Sequence, residues 1–370
     1  AEHGLAAWVH GMRTQAWTED GKSLYFLRFR EGFTSLARFD LQEQTLHEVQ
    51  GELRNYTDLT QIASAPQGKL ALIASSSTTP ARILSISGSG QVHIHRRSIQ
   101  EEIQDSYLSC PELLSWPIKT HLSVGVCHGL YYPPSNPEYE SRQPPPTIIK
   151  IHGGPTSQYR AGYSVETQFF TSRGFAVLEL NYRGSSGYGR SYAAALKENW
   201  GIVDVEDTRS AVDYLLSQGL ANDQQLVVMG GSAGGYTVLL SLIAYPGLFR
   251  AGICRYGVSN LFSLTEDTHK FEQHYLDGLV GKLPEHAERY RHRSPLFSAE
   301  QIEDPLAVFQ GEEDQVVPRS QSDELVESLA KRGIPHLYQI YTGEGHGWRK
   351  SETIEDYYEK VEQFLRQYVV

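Results

Sequence analysis

A serine hydroxyl attacks an acyl carbon at neutral pH only when a base takes its proton and an acid orients that base. The sequence carries candidates for all three. Residues 226–236 read LVVMGGSAGGY, a G-x-S-x-G pattern centred on Ser232 between a short apolar strand, Leu226 to Met229, and a helix predicted over Thr237 to Ala244. Small residues on both sides let a strand-to-helix turn tighten, and the strained turn lifts the hydroxyl clear of the sheet. A glycine-rich turn can also cradle phosphate, but the Gly-Lys-Ser/Thr of a phosphate-binding loop is missing here.

With a nucleophile in this setting the acid and the histidine are expected downstream, in loops that follow later strands. Two predicted strands meet the requirement. Leu306 to Gln310 runs into GEEDQVVP at 311–318, and Leu337 to Tyr341 runs into TGEGHGW at 342–348. Of the fourteen histidines, His346 is the one bracketed by glycines after a late strand. Asp314 is preferred as the acid over Glu312, Glu313 and Asp304. Asp304 precedes its strand, whereas catalytic groups collect at the carboxyl ends of parallel strands.

The tetrahedral intermediate also needs hydrogen-bond donors for its oxyanion. The N–H of Ala233, directly after the nucleophile, is one candidate. IHGGP at 151–155 follows the first strand of this region, as an oxyanion loop would, so Gly153 or Gly154 is the other, with His152 read as a hydrogen-bonded support. NYRGSSGYGR at 181–190 also follows a strand, but its glycine spacing is not G-x-G-x-x-G, so it reads as a loop beside the rim. Its Arg183 would meet a substrate carboxylate or pair with a nearby acid, and Tyr236 with the segment 256–275 is a candidate wall of the substrate pocket.

The elements that must position these groups fall into two regions. In the first hundred residues, β-rich runs at Ser23 to Phe29, Ser35 to Asp40, Lys69 to Ser75 and Ala81 to Ser87 are cut by turn residues. WTEDGK at 17–22 aligns with SAPQGK at 64–69, a repeat of 47 residues and about the length of one four-stranded propeller blade. Two blades cannot close a propeller. A proline-rich stretch, YYPPSNPEYESRQPPP at 131–146, reads as an exposed loop.

Beyond it, apolar strands at Thr147 to Ile151, Ala176 to Leu180, Leu226 to Met229, Gly252 to Tyr256, Leu306 to Gln310 and Leu337 to Tyr341 alternate with amphipathic helices. The pattern predicts a mostly parallel, doubly wound α/β sheet covered on both faces. The expected division is residues 1–110, an all-β segment, and 111–370, a catalytic domain with the α/β-hydrolase fold.

Composition narrows the partners. A net charge of −11 from 33 Lys and Arg against 44 Asp and Glu disfavours nucleic acid and anionic lipid. The short basic stretch Arg289 to Arg293 is assigned to a solvated helix face. No apolar run approaches the roughly 20 residues of a membrane span, and Ala1 to His10 lacks the layout of a signal peptide. Cys110, Cys127 and Cys254 form neither a CxxC pair nor an even framework, so no metal, no cofactor and a reducing, cytoplasmic setting are expected. Self-association is left open.

Together, HGGPTS at 152–157, NYRGSSGYGRSY at 181–192, WGIVDVED at 200–207, GGSAGGY at 230–236, DTHKFE at 267–272, QGEEDQVVP at 310–318 and GEGHGW at 343–348 closely resemble the prolyl oligopeptidase family, nearest to its acylaminoacyl-peptidase and dipeptidyl-aminopeptidase-like branch. The resemblance runs in order from Pro111 to Val370. It implies Ser232 as nucleophile, Asp314 as acid, His346 as base, and amides of Ala233 and the 152–155 loop as oxyanion donors. It further implies hydrolysis of short peptides through an acyl-enzyme and makes the first hundred residues similar to the closing blades of the family's propeller. The same triad would serve a carboxylesterase, and a non-catalytic fragment is the third reading.

Overall fold

A computed structural model describes residues 2–5, 11–87, 90–100, 103–119, 124–267 and 274–370. The DTHKFE motif, from residue 268 onward, lies outside the described residues, as do residues 268–273 of the expected pocket segment.

Strands β1 (Gln15–Trp17), β2 (Ser23–Arg30), β3 (Phe33–Asp40) and β4 (Thr45–Glu48) form one antiparallel sheet in chain order. Strands β5 (Asp58–Ala65), β6 (Lys69–Ser76), β7 (Thr79–Ile86) and β8 (Val92–Arg97) form a second with the same order. The 47-residue repeat is thus a repeat of sheets: Gly21 and Gly68 both turn at φ 67° into the second strand of their sheet, a conformation glycine adopts without a Cβ clash. Leu27, Phe29, Leu36, Leu59, Leu72 and Leu84 fuse the two sheets into one apolar core. The sheets remain open and do not close a propeller ring.

Eight further strands make a mixed sheet: β9 (Glu112–Lys119), β10 (Val124–Tyr132), β11 (Thr147–Ile151), β12 (Ala176–Asn181), β13 (Leu226–Gly231), β14 (Ala251–Arg255), β15 (Leu306–Gly311) and β16 (His336–Tyr341). Their spatial order is β16-β15-β14-β13-β11-β12-β10-β9, parallel from β16 to β12 and antiparallel at β10 and β9. The antiparallel pair is absent from the strands expected above, for a physical reason. β9 carries Pro117 and alternates exposed with buried residues, which an edge strand tolerates and a central strand does not.

The central strands show why a continuous apolar run is needed. Along β13, Leu226 and Val228 join one core, while Val227 and Met229 join the core on the opposite face. Helices Val203–Ser217, Ala233–Ala244 and Arg319–Arg332 pack on the first face, and helices Val165–Thr171 and Ser351–Tyr368 on the second. Every one of β13 to β16 ends at the same edge of the sheet, because parallel pairing aligns their carboxyl ends.

The all-β part joins this sheet through the loops after β11 and β12. Ala161 N donates to Gly32 O at 2.8 Å, Glu31 N donates to Gly187 O at 3.2 Å, and Gly189 N donates to the Glu2 carboxylate at 3.0 Å. Arg160 Nη1 pairs with Asp58 Oδ1 at 2.8 Å, and the Thr57 hydroxyl donates to Ala161 O.

Candidate active site

Ser232 sits directly after β13 with φ 56° and ψ −124°, a region that L-residues rarely occupy. The turn is held by two hydrogen bonds. Ser232 N donates to Arg255 O at 3.0 Å, and Tyr236 N donates to Ser232 O at 3.0 Å, which starts the helix Ala233–Ala244 four residues earlier than periodicity suggests. The glycines of the motif are steric necessities: a Cβ on Gly230 would come within 2.6 Å of the Gly234 backbone, and one on Gly234 within 2.2 Å of Ile151 O. Ala233 opens the helix, where the first N–H groups have no partner within the helix and favour negative charge.

Asp314 follows β15 and is held rigidly. Its Oδ1 accepts from Val316 N at 2.8 Å and from Val317 N at 2.9 Å. Its Oδ2 lies 2.8 Å from His346 Nδ1. A carboxylate only accepts, so Nδ1 carries the proton and Nε2 keeps its lone pair, the tautomer a general base requires. Asp314 is fully buried at its side chain while the imidazole stays 22% exposed, so the base alone faces the solvent side. The structure brings His346 and Asp314 into direct contact and puts Ser232 at the same edge. Tyr256, after β14, spans the gap: its ring centroid is 4.4 Å from that of His346, and its Cε2 would meet a Cβ on Gly231 at 3.0 Å.

Of the two glycines considered for the oxyanion, Gly153 lies against the turn, where a Cβ would be 3.5 Å from Ser232 Cβ and 4.0 Å from Ala233 N, whereas Gly154 faces Thr156 and Ser157. The loop is pinned from beneath. His152 stacks on Tyr182 at 4.3 Å and has Nε2 2.8 Å from Ser185 Oγ, and Tyr182 donates to Pro155 O at 2.8 Å. Burial pushes the His152 pKa down to about 4, so the ring is a neutral support near pH 7.

Two expected substrate contacts are corrected. Arg183 is 3% exposed and paired with Asp207 at 2.7 Å and Glu206 at 3.0 Å, so it ties the 181–190 loop to helix Val203–Ser217 and meets no substrate carboxylate. Tyr236 is wholly buried, with its ring 4.3 Å from Trp200, because position 236 faces the core side of its helix; it does not line a pocket.

A buried ion network was missed. Lys150, in the middle of β11, pairs with Glu179 and Glu166 at 3.1 Å each, and Glu166 pairs with Arg255 at 2.7 Å. Burial pushes the Glu166 carboxyl up, but Arg255 and Lys150 outweigh it and bring it to about 2. The signal was available: Lys150 inside TIIKI and Glu179 inside AVLELN interrupt apolar strands, and the β11–β12 register sets them opposite each other. Glu344 was also missed. It is 2% exposed and accepts from Arg349 N and Lys350 N, closing the loop that holds His346. No group of three or more potential metal ligands occurs among the described residues.

Residues 161–370 match the prolyl oligopeptidase family. Dipeptidyl peptidase family member 6 of Caenorhabditis elegans is 35% identical over 230 residues, 60% of this chain and 31% of that protein. Dipeptidyl aminopeptidase BIII of Pseudoxanthomonas mexicana is 32% identical over 63% of this chain and 34% of its own. A puromycin-hydrolyzing peptidase of Mycobacterium tuberculosis superposes with a TM-score of 0.92 at 33% identity, over 100% of this chain and 56% of the other. The chain thus spans about a third of those two relatives and about half of the solved structure.

Proposed function

Because the chain belongs to the prolyl oligopeptidase family, we propose that it is a serine peptidase that cleaves short peptides, releasing an N-terminal residue, a dipeptide or an acylated residue, with Ser232, His346 and Asp314 as its triad. The observation that carries the proposal is the hydrogen-bonded His346–Asp314 pair at the sheet edge where Ser232 occupies its strained turn.

In this mechanism Ser232 Oγ forms a bond to the scissile carbonyl carbon while its proton passes to His346 Nε2. The carbonyl oxygen becomes an oxyanion facing the N–H groups of Ala233 and Gly153. Collapse breaks the C–N bond, and His346 returns the proton to the departing amine. Water then attacks the acyl-enzyme with the same assistance, releasing the acid and free Ser232. Asp314 keeps the imidazole in its working tautomer and offsets the positive charge it acquires. A cytoplasmic, reducing setting belongs to the same proposal and is supported by the unpaired Cys110, Cys127 and Cys254.

The test is labelling by a fluorophosphonate followed by turnover assays. Stoichiometric modification that disappears in Ser232→Ala is expected, together with cleavage of aminoacyl amides. Cleavage of aryl esters alone would move the assignment to a carboxylesterase, and an unlabelled wild type would make the chain a non-catalytic member.

A further inference from the structure

We infer that Tyr256 is a positioning residue that holds the imidazole of His346 in its reactive orientation, an inference that rests on the peptidase reading above. Tyr256 has φ 37°, in the left-handed region where a bulky side chain is strained and which persists only when the surroundings fix it. Those surroundings are rigid. Tyr256 N donates to Phe309 O at 2.7 Å, its neighbour's Arg255 O accepts from Ser232 N, and the Arg255 side chain is tied to Glu166. The residue is therefore stitched between the strand that bears the nucleophile and the strand that leads to the acid.

The strain delivers one thing, an aromatic ring in the site. It lies 4.4 Å from the His346 ring at 51° and 5.4 Å from Trp348 at 75°, touching both aromatic residues of the histidine loop. The Asp314 contact fixes His346 at Nδ1 only, so the imidazole can still tilt about that hydrogen bond. A ring packed against the imidazole blocks the tilt and keeps Nε2 on the side of Ser232. The Tyr256 hydroxyl makes no hydrogen bond among the described residues, so the ring, not the oxygen, carries the role.

The test uses the full chain, a fluorophosphonate probe and two variants. Tyr256→Asn removes the ring but tolerates the left-handed backbone, and Tyr256→Phe keeps the ring. For Tyr256→Asn with an intact thermal transition, the second-order rate of Ser232 phosphonylation is expected to fall about 10- to 100-fold. Tyr256→Phe is expected to react within about threefold of wild type. A labelled wild type with a Tyr256→Asn variant of equal rate overturns this inference alone. Equal losses in both variants overturn it in favour of the hydroxyl, and absence of labelling in the wild type removes the peptidase reading as well.

Discussion

Asp314 illustrates how one carboxylate differs from its neighbours Glu312 and Glu313. Val316 N and Val317 N hold its Oδ1, and its Oδ2 accepts from Gln310 Nε2 at 3.4 Å and makes the short contact to His346 Nδ1. Replacing it by Asn keeps the shape but offers Nδ1 an amide, which favours the wrong tautomer. We predict that Asp314→Asn lowers kcat by about 10⁴-fold with KM and the thermal midpoint near wild type, as steady-state kinetics on an aryl ester and calorimetry would check. Arg183 and Tyr236 give the opposite lesson. A residue type can suggest a substrate contact, yet its surroundings decide: Arg183 is paired with acids and the Tyr236 ring is packed on Trp200 inside the protein.

At the scale of elements, the loop 342–350 must present His346 and also start the helix Ser351–Tyr368, which has no side-chain cap of its own. Glu344 serves both ends by accepting from Arg349 N and Lys350 N while its own carbonyl accepts from Glu313 N at 2.9 Å. Burial raises its pKa, but those amide donors win and hold it below the ordinary glutamate range. A depressed pKa contributes stability above the unfolded value, and that contribution is lost as the pH falls through the folded one. Glu344→Ala is predicted to cost about 1.5–3 kcal/mol at neutral pH, to lower kcat through a displaced His346, and to lose its deficit relative to wild type on acidification. Denaturant titrations at pH 7 and pH 3 would show it; equal deficits at both would remove the charge from the explanation.

For the whole molecule, the seam between the all-β part and the loops after β11 and β12 ties the first sheets to the region that carries Gly153. Burial raises the Asp58 pKa, opposed by the Arg160 guanidinium. Removing Arg160 leaves a mostly buried carboxylate without its countercharge. Side chains 17% and 24% exposed place the pair between surface and interior, so Arg160→Ala is expected to cost about 1–3 kcal/mol. Asp58→Ala/Arg160→Ala should cost less than Arg160→Ala alone, and the single variant should regain stability as the pH falls and Asp58 protonates. A double variant as unstable as the sum of both singles would show that the two do not interact.

Ser232, Asp314 and His346 were legible in the sequence because each is announced by local chemistry: small residues that permit a strained turn, and loops that follow apolar strands. The fold class was legible, since strands alternating with helices predict a mostly parallel α/β sheet, and the blade-like repeat was visible in its turn glycines. The strands β9 and β10 were not: β9 lies at the edge and carries Pro117, and β10, although paired on both sides, has its apolar run broken by Gly125, His128 and Gly129. Tertiary structure alone decided which face of its helix Tyr236 occupies, which acids claim Arg183, and that Tyr256 lies against His346. Those are contacts between residues far apart along the chain, and they depend on register and packing, which no local window of sequence contains.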